Sequence, residues 1–74
     1  MDFPRYMQKE KSHGPHVALL QAFLAGAGFG KGLVSDGHYG PVTAQKVAEL
    51  QRLMGLDADG NFGPRTRAAV LERF

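Results

Sequence analysis

Two stretches of this chain are close copies of each other: Asp36-Gly37-His38-Tyr39-Gly40-Pro41-Val42-Thr43 and Asp59-Gly60-Asn61-Phe62-Gly63-Pro64-Arg65-Thr66, set 23 residues apart. A duplicated unit limits the possible folds more than local propensity does, because both copies have to adopt one conformation and share an interior. In each copy Asp-Gly is a reversal signal: the carboxylate accepts hydrogen bonds from nearby backbone amides and the glycine tolerates positive φ. Gly40 and Gly63 fall where a helix N-cap belongs. Pro41 and Pro64 follow at the first helical position, where a missing amide hydrogen costs nothing, and Thr43 and Thr66 close the first turn. Tyr39 and Phe62 hold one repeat slot, which predicts rings inserted beneath the helices rather than a binding platform. Val47 and Val70 keep the same spacing. A second echo, at 30 residues, links Val17, Leu20 and Gln21 to Val47, Leu50 and Gln51, so a first helix resembles the second without its turn.

Three helices follow from the periodicity. The first, over about Pro15–Ala27, carries Val17, Leu20 and Leu24 at helical spacing, with Leu19 and Phe23 widening the apolar stripe. The second, over about Pro41–Met54, puts Thr43, Val47, Leu50 and Met54 on one face and Gln45, Glu49 and Arg52 on another. The third runs from Pro64 to the end with Thr66, Val70 and Phe74 aligned. Gly28 and Gly55 mark helix C-termini, and the glycine-rich connection from Phe29 to Ser35 is the segment expected to move most. The expected fold is all-α: a compact three-helix bundle over residues 14–74, preceded by an N-terminal extension over residues 1–13. With 74 residues and no cysteine, the chain holds one small core made by helix packing, without a disulfide framework or thiolate metal cage.

Several functional classes fall away on chemistry. The segment Gly26-Ala27-Gly28-Phe29-Gly30-Lys31-Gly32 suggests a phosphate loop, but Ala25 and Gly32 stand where such a loop needs Gly and Ser or Thr, and no strand precedes it. Around Asp57-Ala58-Asp59-Gly60-Asn61 a calcium loop would put Gly55 and Thr66 at the ends that require carboxylates. His13, His16 and His38 lack a further local ligand for zinc, so no metal and no cofactor is expected. Ser12 and Ser35 sit in no nucleophile motif, and Asp36 and Asp59 have turn duties in separate units, so no catalytic residue is assigned. The apolar run Val17–Leu24 is too short to cross a membrane, and residues 1–13 lack the pattern of a secretory signal. Nine Lys and Arg against seven Asp and Glu, scattered along the chain, form no basic stripe. Arg65 and Arg67 opening the third helix imitate a nucleic-acid reader only weakly, because Glu49, Asp57, Asp59 and Glu72 dilute the field that phosphates require. The reading is a binding module, expected to be monomeric, without nucleic acid or membrane as partner.

The residues also carry a family resemblance. Gly14, Val17, Leu20, Gln21, Leu24, Gly28 and Phe29, then Asp36 through Thr43, Val47, Leu50, Gln51, Gly55 and Leu56, and finally Asp59 through Thr66 with Val70, resemble the type 1 peptidoglycan-binding-like domain found beside many cell-wall hydrolases. Lys46 departs from it, standing where a small residue is usual, and Arg73-Phe74 replaces an aromatic-Gln pair. The resemblance implies a three-helix domain in the cell wall, periplasm or extracellular space that binds peptidoglycan and holds a linked hydrolase near its substrate. Relatives of the fold also serve as protein-contact domains, which leaves a protein-interaction or regulatory domain as the alternative. For wall binding, the helix N-termini after Gly40 and Gly63 offer unpaired amides to stem-peptide carboxylates. The candidate ligand contacts are His38 and Asn61 in the variable slot of each turn, Arg65, the exposed Gln45, and Lys31. With no tryptophan and only Tyr6 and Tyr39 as tyrosines, a broad sugar-stacking floor is not evident.

Overall fold

In the computed structural model, which describes residues 13–73, the chain forms three helices: α1 over Pro15–Leu24, α2 over Pro41–Leu53 and α3 over Pro64–Arg73. A π-helical turn over Ala25–Phe29 extends α1 and is kinked at Gly28, whose φ of 98° breaks the right-handed winding. The expected all-α bundle is the observed fold, with each helix beginning at its proline. Among the described residues the β pairing with a named partner is one isolated antiparallel bridge, His13 to His38, where the Gly14 N–H donates to the Gly37 carbonyl at 2.8 Å.

The interior collects Val17, Leu20 and Leu24 of α1, Val47 and Leu50 of α2, Val70 of α3, and the rings of Tyr39 and Phe62 from the two reversals. Each aromatic precedes the proline that opens the next helix, so ring and helix are fixed together. Phe23, Phe29, Leu33, Ala44 and Met54 are half-buried around this centre. Leu19 departs from expectation: it is exposed, because the face of α1 that meets α2 is the narrower Val17-Leu20-Leu24 row. Phe74, expected to extend the α3 stripe, and the 1–12 part of the extension lie outside the described residues. Lys46 keeps its place on α2 with its ammonium 3.4 Å from the Glu49 carboxylate.

The end of α2 follows a Schellman pattern. The Gly55 N–H donates to Arg52 C=O at 3.1 Å and the Leu56 N–H to Gln51 C=O at 2.9 Å, which pairs carbonyls that a helix end otherwise leaves open. This closure brings the chain back at once, so that the second reversal forms only eight residues after Gln51, whereas the first forms fifteen after Gln21. The difference lies between Leu24 and Gly32, the counterparts of Met54 and Gly55. The glycine-rich Ala25–Lys31 is thus an insertion in the first unit, and it brings Phe29 onto the core.

Candidate functional site

Gln21 and Gln51 lie on the buried faces of α1 and α2, and their amides hold the two reversals. Gln21 Nε2 lies 3.0 Å from His38 C=O, 3.0 Å from Thr43 Oγ1 and 3.2 Å from Asp36 Oδ1, while Gln21 Oε1 accepts the Gly37 N–H at 2.9 Å. Gln51 repeats every one of these bonds: to Asn61 C=O at 2.8 Å, Thr66 Oγ1 at 3.0 Å and Asp59 Oδ1 at 3.0 Å, with the Gly60 N–H donating to Gln51 Oε1 at 3.0 Å. Two amide hydrogens serve three acceptors in each case, so one bond is shared. The orientation of the amide is fixed by its partners, since rotating it by half a turn would set oxygen against three acceptors. Asp36 and Asp59 close the turns from inside, each Oδ1 accepting the N–H two residues on at 2.9 Å.

The glycines of these turns leave little room for a side chain. Gly37 and Gly60 both have φ of 78°, and an added Cβ would stand 3.1 Å from the carbonyl oxygen of Gly14 in one case and of Ala44 in the other. Gly14 and Ala44 are themselves 30 residues apart, the spacing of Gln21 and Gln51, so the duplicated object is a helix face plus the reversal that folds onto it. The first helix has no Asp-Gly turn ahead of it in the sequence, and the structure adds that Gln21 of α1 holds the reversal ahead of α2, so α2 serves both units, opening at the first reversal and carrying the glutamine of the second.

Each unit frames a cleft. The first, about 200 Å³, lies between Gln21, Asp36 and Thr43 on the frame and Leu33, Val34, His38 and Val42 at its edge. The second, about 260 Å³, lies between Gln51, Asp59 and Thr66 and is edged by Leu56, Asp57, Asn61 and Arg65. From Leu33 to Thr43 the lining of the first cleft corresponds at the 23-residue spacing to that of the second from Leu56 to Thr66, Leu33 with Leu56 and Val34 with Asp57, while the two glutamines correspond at 30. Pockets for drug-sized ligands run to roughly 300–1,000 Å³, so each cleft suits a single amino-acid-sized group rather than a length of glycan. A further hollow of about 390 Å³ is lined by Met54, Ala69, Glu72 and Arg73 and takes no residue from either reversal.

Of the residues singled out from sequence, His38 sits in the first cleft, and Asn61 and Arg65 share the second. Gln45, exposed on α2, and Lys31, exposed beside Gly32, line neither. Thr43 and Thr66 are buried hydroxyls bonded to the glutamines, so in each unit glutamine, aspartate and threonine together form a latch that holds the reversal against the helix. The latch glutamines were not assigned this role from sequence. The signal was present in a polar residue kept at the same slot of two apolar stripes. The Asp36 carboxyl is held below its ordinary value, first by the His38 N–H and then by the Gln21 amide. Among the described residues no three His, Cys, Asp or Glu side chains gather as a metal site, and no helix is long and apolar enough to cross a membrane.

The family model described as "Putative peptidoglycan binding domain" matches residues 13–70. Among solved structures, the N-terminal domain of SleB is similar over 96% of this chain and 96% of its own, with 29% identity and a TM-score of 0.84. A peptidoglycan-binding protein from Clostridioides difficile, solved in complex with glutamine hydroxamate, is similar over 85% of this chain with 31% identity and a TM-score of 0.73. The chain spans 38% of the length of that protein. No curated protein sequence matches.

Proposed function

The chain belongs to the peptidoglycan-binding domain family, and from that premise we propose that it is a non-catalytic module that attaches a linked or partner hydrolase to the bacterial wall. The observation that carries this reading is the pair of matching clefts. Their frames are closed by satisfied hydrogen bonds, while the residues that vary between the copies stand at the openings. A frame built twice with its variable side chains at the mouth serves recognition, in which a rigid scaffold holds the contact groups in place.

The contacts fall on His38 in one cleft and on Asn61 and Arg65 in the other, with Gln45 and Lys31 extending the contact surface beyond the clefts. Short stem peptides suit clefts of this size, and helix N-termini at Pro41 and Pro64 add backbone donors and a favourable dipole. Shallow sites with few rigid anchors bind weakly. Linkage to an enzyme offsets this by raising effective concentration. Placement in the cell wall, periplasm or extracellular space and a monomeric state belong to the same proposal.

Cosedimentation of the domain with purified peptidoglycan sacculi tests it. The domain is expected in the pellet at low salt, and the pelleted fraction is expected to fall for His38→Ala combined with Asn61→Ala. A domain that stays in the supernatant at low salt refutes wall binding. A second reading, a protein-contact domain, draws support from Val34 and Val42, both exposed at the first cleft. Its mark is co-purification of a defined partner by a domain that ignores sacculi.

A further inference from the structure

The two clefts share a frame and differ at the edge, and the difference is chemically specific. Where the first has Val34, His38 and Val42, the second has Asp57, Asn61 and Arg65. One copy thus carries an acid and a base at the positions where the other carries two valines. Asp57 and Arg65 are both exposed, and neither takes part in an ion pair or side-chain hydrogen bond. They border one small cleft as opposite charges left unused by the fold. Asp59, the remaining charge of this cleft, is occupied by the latch through Oδ1. Counting Asp57, Asp59 and Arg65, the lining has more negative than positive charge, which opposes entry of a simple anion.

We propose that the second cleft, and not the first, binds a zwitterionic amino-acid group, with Arg65 taking its carboxylate and Asp57 its ammonium. Guanidinium offers paired donors to a carboxylate, and Asp57 accepts from an ammonium while offsetting its charge. Asn61, in the same lining, supplies a neutral donor and acceptor. The proposal rests on the wall-binding reading and narrows it: the stem-peptide residue recognised is one with a free ammonium and a free carboxylate on the same carbon, as an uncrosslinked diamino dicarboxylic acid presents. The first cleft has Val34 and Val42 at these two positions and so lacks the counterpart of either contact.

The test is a titration of the isotopically labelled domain with meso-diaminopimelic acid, with glutarate and 1,5-diaminopentane as probes carrying only one kind of charge. Amide shifts are expected across residues 55–66 and not across 32–43, with both single-charge probes weaker. Arg65→Gln and Asp57→Asn are each expected to weaken the zwitterion about tenfold, a loss of one charge-assisted contact. Both side chains are exposed, and an unchanged amide spectrum of each variant without ligand verifies its fold. Equal response to glutarate, shifts in both clefts, no shifts at all, or full binding by both variants overturns the proposal. Sacculus binding by the same variants separates the two ideas: retention without zwitterion binding refutes this assignment alone, and failure of the unmodified domain to pellet refutes the wall reading.

Discussion

Gln51 shows how much of this fold depends on single polar groups. Gly60 N–H is buried and donates to Gln51 Oε1, while Thr66 Oγ1 and Asn61 C=O depend on Gln51 Nε2. Gln51→Leu keeps much of the volume and strips all of these bonds. Leaving buried groups unpaired costs about 1–3 kcal/mol apiece, partly relieved by relaxation, so a loss of about 2–4 kcal/mol is expected in urea unfolding. A change below about 0.5 kcal/mol, the level of an ordinary surface substitution, would contradict the latch. Asp36 adds a pH dependence. Its folded-state pKa lies below the usual carboxylate value of 3.8, so the unfolded chain takes up the proton more readily. The stabilisation is therefore present above the ordinary carboxylate range and is lost as pH falls through the lowered value. Because the carboxylate is exposed, the effect is small. Asp36→Asn keeps an acceptor in the turn and removes the titration, so thermal melts of the two proteins are expected to converge on acidification. Parallel curves would contradict it.

At the scale of elements, the chain is two helix-and-reversal units that share α2, and the phenol of Tyr39 joins them by donating to the Gly60 carbonyl at 2.7 Å. Phe62 holds the equivalent slot without a hydroxyl. Tyr39→Phe leaves the ring in the core and removes this bond between reversals, for an expected cost of about 1–2 kcal/mol. No change in unfolding midpoint would mean that the units are joined by apolar packing alone. The three helices were legible because Val17, Leu20, Leu24, Val47, Leu50 and Val70 recur at helical spacing and the prolines mark the starts. The pairing of α1 with its own reversal was not legible, because Ala25–Lys31 interrupts the first unit and hides the correspondence of Gly32-Leu33 with Gly55-Leu56. The latch was missed for another reason. A glutamine on an apolar stripe looks like a tolerated exception until the backbone groups it reaches, far along the chain, are known. Leu19 misled in the opposite sense, since hydropathy cannot say how wide a helix face its neighbours cover.

For the whole molecule, the proposed function gives stability and recognition to different side chains. The glutamines, aspartates, threonines and aromatics of the repeat are committed to the frame, so the contact residues named from sequence could only be those left over. That logic placed His38, Asn61 and Arg65 at clefts, but it had no means of finding Val34 or Asp57, which become cleft residues only once the reversals close. A domain of this size commonly has only a few kcal/mol of net stability, which leaves little tolerance for recruiting a latch residue to binding. The most direct measurement is amide shift mapping of the intact domain during titration with soluble muropeptides released from sacculi. The expected shifts concentrate at residues 32–43 and 55–66, around the two clefts. Shifts centred instead on Leu19 or the outer face of α2, with both reversals silent, would contradict the assignment of recognition to the duplicated turns.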